Sequence, residues 1–314
     1  MKSIFSLLKE QLVEDFQWST YGYSIFFLFI SITFNYIYDF EDVFLDSHLH
    51  RFSGFGYYTL FYAFGYYGIA IPQLLILKEK EILLKPYYWL KTGFFILVCG
   101  FSASFYLHWF TQNLNVSHYE QFYISHIVMN FSCFATTLTP LFLFWIVTKN
   151  HKESFYGFKF KNAEIKPYLY MLAFMFPLLL WASFQNSFQS TYPTMKSWSL
   201  NKPFGLNHLT TASFFELCYG FSFISVEVLF RGALIIGLTQ LLGRNAILPM
   251  VSLYAFLHFG KPLPETIGSI FGAYILGTIA LKKKHIFGGI IIHMGVALSM
   301  DFLAYFQYYI INPH

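Results

Sequence analysis

Residues 224–232 read ISVEVLFRG and set a glutamate and an arginine four positions apart inside an apolar run. On an α-helix Glu227 and Arg231 share a face one turn apart, so they can pair. Two readings are open from this stretch alone. The pair is a salt bridge that joins helices, or it belongs to a site where chemistry happens.

The surrounding chain decides the solvent. Of 314 residues, 56% are hydrophobic, 23% aromatic and 11% charged, and the mean hydropathy is +0.49. Soluble domains do not combine such apolar content with so little charge. Runs of roughly twenty apolar residues recur from 20 to 311, the length that crosses a hydrocarbon core about 30 Å thick. They lack the dyad alternation of a membrane barrel. The expected fold is all-α, a polytopic helical membrane protein with about eight or nine transmembrane helices. Its immediate partner is the lipid bilayer.

The net charge of +4 does not point to nucleic acid, because the basic residues sit in loops between spans. Cys99, Cys133 and Cys218 fall within spans at no metal-binding spacing and read as packing residues. Residues 1–17 contain no apolar core of a cleavable signal. Ile4, Phe5, Leu8, Leu12 and Phe16 share one helical face, so residues 1–19 read as an amphipathic helix on the membrane surface.

Nine spans are expected, at 20–38, 55–77, 92–110, 122–147, 168–184, 211–242, 246–259, 265–281 and 286–311. Alternate loops collect 15 of the 20 basic residues on one side, among them Lys78, Lys80, Lys85 and Lys91. The positive-inside rule then places the N-terminus in the cytoplasm and the C-terminus outside. Two spans are irregular: 211–242 would be about 48 Å long and 246–259 only about 21 Å. The polar stretch 185–210 reads as an external loop. It divides an N-terminal bundle, 20–184, from a module at 211–314 that holds most intramembrane polar groups.

Ionisable side chains inside a bilayer are functional candidates by default. From residue 211 onward they are Glu216, Glu227, Arg231, His258, Glu265, His293 and Asp301, against only His108 and His126 in the earlier spans. Glu216 reads as a solvated or capping residue. Glu265, after Pro264, reads as a carboxylate at a helix start. Two histidines with a glutamate on neighbouring helices could hold a divalent metal with one position left for water. They could equally place a water between a glutamate base and histidine donors. A transporter lined by these groups is a third reading, which the apolar first half and the lack of an internal repeat disfavour.

The order of these residues resembles the CPBP family of intramembrane proteases, which includes the CAAX prenyl endopeptidases and bacterial proteins linked to bacteriocin immunity. That family carries EExxxR, FxxxH and HxxxN or HxxxD. Here the corresponding stretches are VEVLFR (226–231), YAFLH (254–258) and HMGVA (293–297), followed in the second case by GKPLPETIGSIFGAYILG from Gly260 to Gly277. The resemblance covers about residues 210–305. It implies an endopeptidase of membrane-embedded proteins or peptides in a bacterial inner membrane. Glu227, Arg231, His258 and His293 would be its catalytic set, and Glu227, His258 and His293 the ligands of a divalent ion, zinc foremost. Tyr254 replaces the motif phenylalanine. Val226 stands where the first glutamate is expected and Ala297 where the asparagine or aspartate is expected, and Glu265 or Asp301 would have to compensate. A catalytically inactive pseudoprotease that binds a membrane partner is therefore the alternative.

Overall fold

The computed structural model describes residues 4–49, 51–104, 111, 113–148, 154–159 and 165–311. Every regular element among the described residues is helical. Six stretches are long and apolar enough to span a bilayer: Trp18–Tyr38, Phe52–Ile76, His118–Val147, His208–Phe256, Leu263–Lys283 and Phe287–Tyr309. Lys166–Ala182 adds a shorter apolar helix. The chain is thus an all-α, multi-pass membrane protein. The expected span at 92–110 corresponds to a helix over Pro86–Ser104, and His108 lies outside the described residues.

The chain folds as two compact units. The first gathers Met1–Phe105, Thr136–Lys161 and Glu227–Phe287, and the second Tyr106–Ala135, Asn162–Val226 and Gly288–His314.

In the first unit, α1 (Ile4–Asp15) packs on α10 (Leu263–Lys283), with Leu7 and Gln11 buried and Phe5 and Val13 exposed. Lys282 Nζ reaches Glu14 Oε2 at 3.2 Å and Arg244 donates to the Glu14 carbonyl at 2.6 Å, which fastens the free end of α1. Helix α3 (Phe52–Ile76) packs on α2 (Trp18–Tyr38), α4 (Pro86–Ser104) and α9 (Ile247–Phe256), and α2 also meets α9. Close approach depends on glycine. A Cβ at Gly100 would sit 2.8 Å from the Thr59 backbone, and one at Gly65 2.8 Å from the Phe256 ring. Such contacts let helices meet without the hydrophobic drive that water supplies. Phe256 stacks on Phe259 at 4.6 Å and tilts on Phe61 at 4.9 Å, so aromatic packing fills the space around α9.

One lysine departs from the topology count. Lys91 was expected in a cytoplasmic loop, but it lies inside α4, 4% exposed, and donates to the Gly237 carbonyl at 2.6 Å. The reason is local. The helix carrying Arg231 ends there and leaves carbonyls without intrahelical donors, so a buried ammonium satisfies one.

The long stretch expected at 211–242 is also resolved differently from a tilted rod. It begins as α8 (His208–Glu227), widens to a π-helix over Val228–Ile236, and turns at Gly237 and Leu238. The Gly237 amide donates to the Gly232 carbonyl at 2.8 Å, closing a wide five-residue turn. Gly243, at φ 54° and ψ −127°, then breaks the helix before α9 begins. Only glycine adopts that backbone readily.

The second unit contains α5 (His118–Cys133), α7 (Lys166–Ala182), α8 and α11 (Phe287–Phe306), with α6 (Thr139–Val147) continuing α5 into the first unit. Ser117 and Glu120 form a reciprocal capping box at the start of α5. The Tyr123 hydroxyl donates to the Thr211 carbonyl at 3.0 Å, and Tyr123, Met195, Leu200 and Phe215 form a buried cluster. The stretch 185–210 is therefore folded, with short helical turns whose apolar side chains enter the core.

Candidate functional site

Glu227 is fully buried and Arg231 is 1% exposed, and Nη1 of the arginine lies 2.9 Å from Oε1 of the glutamate. The pairing expected from their spacing is present. Two ions this far from solvent are tolerated only when each answers the other.

The opposite face of the guanidinium is covered. Its carbon lies 4.4 Å from the Tyr254 ring centre, and Phe230 meets the same ring edge-on at 5.0 Å. A planar cation over an aromatic face is attracted by the ring quadrupole, which places Tyr254 as a support for Arg231. The sequence marks Tyr254 only as a motif substitution; its role beneath Arg231 is visible in the fold.

Tyr254 also leads to His258 one turn later. Nδ1 of His258 lies 2.8 Å from the Tyr254 carbonyl, and the two rings sit 4.6 Å apart. A carbonyl only accepts, so Nδ1 carries the proton and the lone pair of the neutral ring is on Nε2. Glu227, Arg231, Tyr254 and His258 therefore belong to one compact unit and form a connected series: carboxylate, guanidinium, phenol ring, imidazole.

The remaining candidates divide. Glu265 lies in the first turn of α10, and its amide donates to the Pro262 carbonyl at 2.8 Å, as a helix-start residue should. His293 belongs to the second unit, half-buried, with its ring 4.3 Å from Phe223. Nothing in the sequence flags Phe223 as its neighbour. Asp301 is fully buried in the same unit and accepts from the Thr194 amide at 3.0 Å and hydroxyl at 3.2 Å. Glu216, expected to be a solvated or capping residue, is half-buried.

A separate acidic group lies after α2. One carboxylate oxygen each from Glu41, Asp42 and Asp46 come within 4.8 Å of one another. Burial, followed by the charge of Asp46, pushes the Glu41 carboxyl up from 4.5 to about 8. Folded Glu41 thus binds its proton more tightly than unfolded Glu41. Its contribution to stability is full below about 4.5 and is lost as pH rises through about 8. Melting temperature in detergent is expected to fall from pH 5 to pH 9, and Glu41→Gln to flatten that slope. An unchanged slope in Glu41→Gln would remove Glu41 from the account.

Comparison with known families then places the segment. Residues 208–299 match the type II CAAX prenyl endopeptidase family, Rce1-like. The matched range opens with α8, runs through Glu227, Arg231 and His258, and closes just beyond His293. It covers less than a third of the chain, and Glu41 and Asp301 fall outside it. No curated protein and no solved structure matches the chain. Within the Rce1-like segment, Val226 is half-buried and Ala297 buried, both apolar where the resemblance expects polar groups.

Proposed function

We propose that the Rce1-like segment is a CPBP-type intramembrane endopeptidase site in which Glu227 is the base. The observation that carries this reading is the connected series Glu227–Arg231–Tyr254–His258, its first three members buried and the histidine half-buried. In this reading Glu227 takes a proton from water, and Arg231, at 2.9 Å, holds the carboxylate in place. Nε2 of His258 accepts that water's other hydrogen and turns the oxygen lone pair toward a scissile carbonyl. The substrate class is a membrane-embedded protein or peptide, with a prenylated CAAX peptide as the first reporter.

Zinc suits an imidazole nitrogen such as Nε2 of His258. It fits poorly beside Glu227, whose Oε1 is already neutralised by a guanidinium at 2.9 Å. No step is therefore routed through a metal.

A second reading has its own support. Glu227 has no exposed surface, and Val226 and Ala297 remove two polar groups. In that reading the segment binds a membrane partner without cleaving it.

Cleavage of a prenylated CAAX peptide in liposomes separates the two. Glu227→Gln and His258→Ala are each expected to lower the rate about 10²–10⁴-fold, and o-phenanthroline to leave it unchanged. Wild-type protein that cuts no membrane reporter yet retains a membrane partner would establish the pseudoprotease. The excess of basic residues in alternate loops supports a cytoplasmic N-terminus, and the family resemblance supports a bacterial inner membrane location. Labelling of single cysteines placed at Lys2 and His314 in intact cells checks it.

A further inference from the structure

His258 lies just past the end of α9, where the chain breaks at Gly260–Lys261–Pro262 before α10 begins. Helix ends leave carbonyls without partners, and at membrane depth no bulk water replaces them. The carbonyls of Phe259 and Lys261 are such groups, and that of His258 accepts the Lys261 amide at 3.0 Å. All three are met by side chains from outside α9.

Asn35, 3% exposed near the end of α2, donates from Nδ2 to the Phe259 carbonyl at 3.2 Å. Its Oδ1 accepts the Glu41 amide at 3.0 Å, which fixes the orientation of its amide group. The next residue, Tyr36, has its hydroxyl 2.5 Å from the Lys261 carbonyl and 2.7 Å from Thr266 Oγ1. Thr266 is fully buried and donates to the His258 carbonyl at 2.5 Å. Thr266 thus spends its proton on His258, and the single Tyr36 proton is shared between Lys261 and Thr266. The Glu41 carboxylate closes the same corner, since a Cβ at Gly260 would lie 2.5 Å from it.

The π-electron neighbours and the Tyr254 carbonyl fix the His258 ring, but they do not fix its backbone. Beyond the turn's own backbone hydrogen bonds, that work falls to α2 and to the first turn of α10. We propose that Asn35, Tyr36 and Thr266 are positioning residues for His258, holding the broken end of α9 so that Nε2 keeps its aim. The catalytic consequence rests on the endopeptidase reading above; the positional claim does not. None of the three touches the reacting atoms. Asn35 and Tyr36 lie outside the Rce1-like match, so the N-terminal helices contribute to the site through them.

Two readouts test this on the full-length protein. The first is the rate at which diethyl pyrocarbonate modifies His258, followed by mass spectrometry in detergent, which needs no cleavage activity. Tyr36→Phe, Asn35→Ala and Thr266→Val are each expected to change that rate several-fold, and Thr266→Ser to restore it. Tyr67→Phe removes a comparable hydroxyl pair with Thr92 elsewhere in the same unit and should leave His258 unaffected. The second readout is peptide cleavage, where kcat should fall roughly tenfold with KM unchanged. Should one variant fail to fold, the other two decide. Wild-type modification rates at His258 in the folded variants overturn the proposal. Altered rates with no cleavage by any protein leave the brace standing and sink the endopeptidase reading instead.

Discussion

Arg231→Met is expected to destabilise the protein by about 3–5 kcal/mol, the range for a buried ion pair that loses one partner. The glutamate left behind has no exposed surface through which water could replace the guanidinium. The Tyr254 ring also loses the cation that lies 4.4 Å from its centre. Removing both charges at once is a different matter. Glu227→Leu with Arg231→Met fills similar volume with apolar atoms and should recover most of the lost stability. Melting temperatures of the two single variants and the double, arranged as a cycle, give the coupling directly. Additive losses would mean that the pair contributes little, whatever its geometry. The cycle also governs how activity experiments are designed. Glu227→Ala would confound chemistry with unfolding, whereas Glu227→Gln keeps shape and hydrogen bonding while removing the base.

The second large effect is steric. Gly100→Val is expected to prevent α3 and α4 from closing on one another, with a loss at or beyond the upper end of the roughly 1–3 kcal/mol typical of overpacking. A Cβ there would meet Thr59 Oγ1 at 2.2 Å and the Thr59 backbone nitrogen and Cα at 2.8 Å. A side chain can rotate aside, but helix backbone cannot. The neighbouring Gly93 supplies the comparison: its nearest obstacle is the Tyr67 hydroxyl at 3.9 Å, so Gly93→Ala should be tolerated. Both variants are read by the fraction of monodisperse protein recovered after heating in detergent. Equal behaviour of Gly100→Val and Gly93→Ala would show that α3 and α4 can part without loss.

How much of this is legible in the sequence depends on the range of the interaction. The Glu227–Arg231 pair and the Tyr254–His258 step are each four residues apart on one helix, and both are recoverable from spacing. Helical class and membrane residence follow from apolar runs, which report on solvent rather than on partners. The burial of Lys91 is not recoverable in this way. A lysine near the end of an apolar run reads as an interfacial charge, and only the Gly237 carbonyl, buried where its helix ends, explains why it turns inward. Asn35 and Tyr36 are hidden for the same reason: their partners lie more than two hundred positions away. Glu216 reads as solvated or capping from the sequence, and its partial burial is a tertiary effect that spacing along one helix does not carry.

The π-helical segment keeps the chain in a fixed phase. A wide turn consumes one residue more than an α-turn before its hydrogen bond closes, so Val228–Ile236 contains surplus residues relative to an α-helix of the same rise. Losing one residue there would let the segment tighten to α, and one residue of α-helix is about 100° of rotation. Glu227 and Arg231 would then swing away from the Tyr254 ring while every side chain in the neighbourhood stayed chemically the same. Length between Arg231 and Gly243 is in that sense as constrained as identity. Chains that share these motifs but differ there by a single residue should aim their glutamate elsewhere.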